Sequence, residues 1–93
     1  MENVESGTEV SLHYLNGEVE SFNIQKTGEE FYQQLQQASE RQYLCFHLND
    51  RSVVVNLDKV LKIEIHPPFY EIQGDGVFPT AERITAMLRA ARH

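Results

Sequence analysis

Tyr43-Leu44-Cys45-Phe46-His47-Leu48, Asn49-Asp50, Arg51-Ser52-Val53-Val54-Val55-Asn56-Leu57, Asp58-Lys59, Val60-Leu61-Lys62-Ile63-Glu64-Ile65-His66 is a run of three strand-length segments separated by two short polar breaks. Leu44, Phe46 and Leu48 alternate with Tyr43, Cys45 and His47, the period of a strand with one buried face. Asn49-Asp50 is turn chemistry. Arg51 to Leu57 follows as a strand whose three valines are apolar on both faces, which predicts a central place in a sheet. Asp58-Lys59 permits a bend. Val60 to His66 then alternates again, with Leu61, Ile63 and Ile65 inward and Lys62, Glu64 and His66 outward. Such short connections join antiparallel neighbours; a parallel crossover needs a dozen residues or more.

Working outward, Glu9 to Leu15 alternates with Val10, Leu12 and Tyr14 on one face, and Glu18 to Ile24 returns with Phe22 and Ile24 as its inner end. Asn16-Gly17 between them is a hairpin signal, because both residues tolerate positive φ. Thr27-Gly28-Glu29-Glu30 forms a capping box and predicts a helix to about Ser39, with Phe31, Leu35 and Ala38 as a narrow apolar stripe. Its glutamines, Gln33, Gln34, Gln36 and Gln37, read as a solvated face. Pro67-Pro68 ends the last long strand. Phe69 to Ile72 is expected as a short edge strand before the Gly74-Asp75-Gly76 turn. Thr80 is expected to cap a final helix whose apolar face is Ile84, Met87, Leu88 and Ala91.

The expected fold is therefore α+β: a small antiparallel sheet of about five strands with two helices, in the order ββαβββ(β)α. Residues 1–8 read as a polar tail and 9–93 as one domain. The expected core is Leu12, Phe22, Phe31, Leu35, Leu44, Phe46, Val54, Ile63, Ile65, Ile84 and Leu88.

The chain carries a net charge of −6, with nine acids against two bases in residues 1–50 and six bases against five acids in 51–93. Phosphate backbones and anionic lipid repel such a balance. No run approaches the roughly 20 apolar residues that span a bilayer. Met1 to Glu5 lacks the basic and apolar regions of a signal peptide, and the lone Cys45 has no internal disulfide partner. A cytoplasmic protein is the expectation.

No phosphate loop, serine elbow or paired Cys-x-x-Cys is present. Cys45 and His47 share a strand face, and both residue types bind zinc, with His13 as a third candidate across the sheet. A fourth ligand is missing, so no metal, no cofactor and no catalytic residue is assigned. Phe69-Tyr70, following two prolines and outside the periodic elements, and Tyr32 are the candidate partner-binding aromatics, with plugging one end of the core as the competing role. These features predict a non-catalytic protein-interaction or assembly domain whose partner is a protein, a second copy included.

Two segments also carry a resemblance. Arg51-Ser52-Val53-Val54-Val55-Asn56-Leu57-Asp58-Lys59-Val60 and Gly74-Asp75-Gly76-Val77-Phe78-Pro79-Thr80-Ala81-Glu82-Arg83 resemble the LytTR family of DNA-binding response-regulator domains. The resemblance extends loosely over about 80 residues. It implies a sequence-specific DNA-binding function, with contacts falling on Arg51 and Arg83.

Overall fold

The computed structural model describes residues 7–38, 40 and 42–84. Strand β1 (Thr8–Tyr14) turns through Asn16-Gly17 into β2 (Val19–Ile24). Gly17 sits at φ +94°, and the Tyr14 N–H donates to the Glu18 carbonyl at 2.8 Å, so the turn closes as its glycine predicts. Helix α1 (Gly28–Ala38) opens with the expected reciprocal cap. The Thr27 N–H donates to Glu30 Oε1 at 2.9 Å, and the Glu30 N–H donates to Thr27 Oγ1 at 3.1 Å. Gln42, at φ 66°, donates its N–H to the carbonyl of Ala38, the last residue of the helix. Then follow β3 (Tyr43–His47), β4 (Ser52–Asn56), a single 3-10 turn at Leu57–Lys59 and β5 (Val60–His66).

All five strands are antiparallel, but they form two sheets, β2-β1-β5 and β3-β4. The inner face of the larger sheet, the helix stripe and one face of the β3–β4 ribbon enclose the core. Val10 and Leu12 are fully buried, and Phe31, Ala38, Phe46 and Val55 nearly so. Phe22 and Phe46 stack across the two sheets with ring centroids 4.2 Å apart. Leu35, Leu44, Ile63 and Ile65 pack against this cluster half-buried.

Several expectations are corrected. β4 is not central: among the described residues it pairs only with β3. Its register places Val55 opposite Leu44 and Val54 opposite Cys45. Val55 is therefore buried and Val54 is 63% exposed. Three consecutive valines carry no phase of their own, and the partner strand supplies it. Leu61 also points outward. His13 pairs with Lys62 but Tyr14 with Val60, so Leu61 is the extra residue of a bulge and is 65% exposed. Leu48 lies beyond the end of β3 and is exposed.

Residues 69–72 form no strand, and Thr80 to Ile84 are not helical; Ile84 is 93% exposed. The remaining positions of the expected final helix, Met87, Leu88 and Ala91 among them, lie outside the described residues, as does most of the expected N-terminal tail. One α-helix is present among the described residues.

Candidate functional site: an apolar groove beside a free strand edge

Two decisions of the fold create this site. The bulge leaves Leu61 at the rim of the larger sheet. The chain after β5 turns through Pro67-Pro68 and lays Phe69 against the start of α1. The Phe69 ring sits 5.8 Å from the Tyr32 ring, tilted by 46°. It lies so close over Gly28 that a Cβ there would meet Phe69 Cδ1 at 2.8 Å. Glycine at the first helical position is what admits the ring.

Between α1 and β5 this leaves an open groove of about 590 Å³. Tyr32 and Leu35 form its helical wall, and Leu61, Ile63 and Ile65 its strand wall. Phe69 closes one end, and Lys62 supplies its one charge.

The far edge of β5 is unpaired among the described residues. The Tyr14–Glu18 bond sets the hydrogen-bonding phase of β1: Val10 and Leu12 turn their peptide groups to β2, and Ser11 and His13 turn theirs to β5. The partners of Ser11 and His13 are Glu64 and Lys62. Ile63 and Ile65 therefore direct their N–H and C=O groups away from the sheet, along the groove.

The sequence-derived candidates divide accordingly. Phe69 and Tyr32 come together at the groove, where Phe69 is half-buried and closes one end; Tyr70 is 69% exposed next to it. Leu61, Lys62 and Ile63 belong to the site without having been singled out from sequence. Their alternation was legible, but the absence of a neighbour on β5 was not.

Arg51 and Arg83 sit apart. Arg51, at the β3–β4 turn, pairs with Asp50 at 3.0 Å. Arg83 reaches the outer face of the larger sheet and pairs with Glu64 at 3.2 Å. His13 bonds the same carboxylate at 2.9 Å. That hydrogen bond holds the Glu64 carboxyl below its ordinary range; desolvation opposes the shift, and the charges of Lys62 and Arg83 add to it.

Cys45 and His47 lie on β3, with the thiol 4.0 Å from either ring nitrogen, and His47 Nδ1 lies 2.7 Å from Ser52 Oγ. His13 is on the other sheet. No three metal-ligating side chains gather among the described residues, and no described helix is long and apolar enough to cross a membrane.

Comparison with family models, with curated proteins and with solved structures finds no match to this chain.

Proposed function

We propose that this chain is a non-catalytic protein-interaction domain that receives its partner in the groove between α1 and β5. The observation that carries this reading is the coincidence of two unmet needs at one place. Apolar side chains of the groove are open to water, and beside them the peptide groups of Ile63 and Ile65 lack strand partners among the described residues. An extended segment added to such an edge gains main-chain hydrogen bonds and side-chain burial together. The separation of His13 from Cys45 and His47 supports the non-catalytic part of the reading.

A DNA-binding role, which the LytTR resemblance implies, has weaker support. Asp50 and Glu64 are already ion-paired with the two arginines it would use.

The test is site-specific photo-crosslinking in the native cell, from position 61 at the groove and from position 21 on the opposite face of the larger sheet. Protein adducts are expected from position 61 and not from position 21. Equal yields from the two positions, or none from position 61, would refute the reading.

A further inference from the structure

We infer that the occupant of the groove edge is a second copy of this chain, joined by antiparallel pairing of β5 with β5 about a two-fold axis at Ile63. This rests on the groove reading above and names its partner. Ile63 presents outward an N–H and C=O that are unpaired among the described residues. Two such residues placed opposite each other exchange both bonds, which is the bonded pair of an antiparallel ladder. Ile65 of each strand then falls opposite Leu61 of the other. At Ile63, on the axis, the register is thus one that the free edge can bond.

The side chains agree with the same register. With Ile63 on the axis, Lys62 of each copy stands opposite Glu64 of the other, and this happens twice. These are non-bonded pairs of the ladder, whose side chains approach most closely, and opposite charges directly across a ladder attract. Lys62 has no ion-pair partner among the described residues. Glu64 uses its two oxygens toward His13 and Arg83, and a carboxylate has lone pairs for about four donors.

Shifting the axis to Leu61 or Ile65 loses both Lys–Glu pairs and shortens the overlap. On the inner face the pairing sets Ile63 against Ile63, and at the rim of the groove Ile65 of each strand lies beside the 65% exposed Leu61 of the other, covering it with apolar surface. Charged residues on an exposed edge ordinarily keep strands apart. Here their spacing about Ile63 makes the edge complementary to itself.

The experiment is the solution mass of the full chain over a range of concentrations, with single and paired charge reversals. Wild type should show twice the 10.8 kDa of one chain. Lys62→Glu and Glu64→Lys each turn both cross-strand pairs into like charges, so each alone should weaken dimerisation roughly ten- to a hundredfold. An equimolar mixture of the two variants should restore the dimer as a heterodimer, because every pair across the ladder is then opposite. The double reversal Lys62→Glu/Glu64→Lys should also dimerise with itself. Unchanged melting temperatures establish that the variants fold, and the mixture provides a control that misfolded chains would fail.

A wild-type monomer at all concentrations overturns the inference. So does a dimer indifferent to both reversals, or one that the mixture does not restore. A monomer whose position 61 still crosslinks to a different protein overturns self-pairing while the groove reading stands. A monomer with no adduct at position 61 overturns both.

Discussion

Tyr14 shows how one residue takes on a property through its neighbours. It ends β1 half-buried, and its hydroxyl donates to Glu20 Oε1 at 2.6 Å. Burial, the hydrogen bond and the charges of Glu20 and Glu18 push its pKa from an ordinary value of 10.0 up to about 12. The folded protein therefore holds this proton more tightly than the unfolded chain does. The resulting stabilisation is complete below pH 10 and is lost as pH rises through about 12. Stability of wild type should fall more steeply between those values than stability of Tyr14→Phe, measured by urea unfolding at successive pH. Parallel curves would show that the Tyr14–Glu20 bond does not persist in solution. Gly28 is the second such residue: the sequence marks it only as an interior position of a capping box, and the fold uses its missing side chain to seat Phe69.

At the scale of elements, α1 and the segment after β5 depend on that seat. Alanine normally favours a helix over glycine by about 1 kcal/mol. In Gly28→Ala the new Cβ would lie 2.8 Å from the Phe69 ring and 3.2 Å from Ile65 Cγ2. Steric strain of this kind costs about 1–3 kcal/mol, so it outweighs the propensity gain. The expected result is a lower urea midpoint for Gly28→Ala, with much of the loss removed when Phe69→Ala is added. A raised midpoint in the single variant would mean that Phe69 does not rest on the helix. β5 shows the same dependence between elements. The one-residue slip between His13–Lys62 and Tyr14–Val60 turns Leu61 out of the core and onto the rim of the groove.

For the whole molecule the deciding quantities are charge and its placement. The net charge is −6, and the two arginines aligned with the LytTR resemblance lie apart, Arg51 at the β3–β4 turn and Arg83 against the outer face of the larger sheet, each beside a carboxylate. Phosphate binding gains from released counterions only where free cations converge. The expected outcome of titrating random duplex DNA is no measurable binding at roughly physiological salt. Binding that weakens steeply as salt rises would show instead that Asp50 and Glu64 release their arginines to phosphate.

The features legible in the chain before it folds are local. The Asn16-Gly17 turn, the Thr27–Glu30 capping box, the inward placement of Val10, Leu12 and Phe22, and the Asn49-Asp50 turn all follow from chemistry within a few residues of chain. Each is present where that chemistry puts it. Tertiary structure alone decided that the strands divide into two sheets, that Val55 is buried and Val54 is not, that Leu61 bulges outward, and that Phe69 lies on Gly28. It also decided that, among the described residues, one edge of β5 stays open beside an apolar groove. These outcomes depend on which strand lies alongside which, and contacts such as Leu44 with Val55, Tyr14 with Val60 and Gly28 with Phe69 leave no periodic trace in either partner. A run such as Val53-Val54-Val55 satisfies both phases equally until a neighbour such as Leu44 selects one.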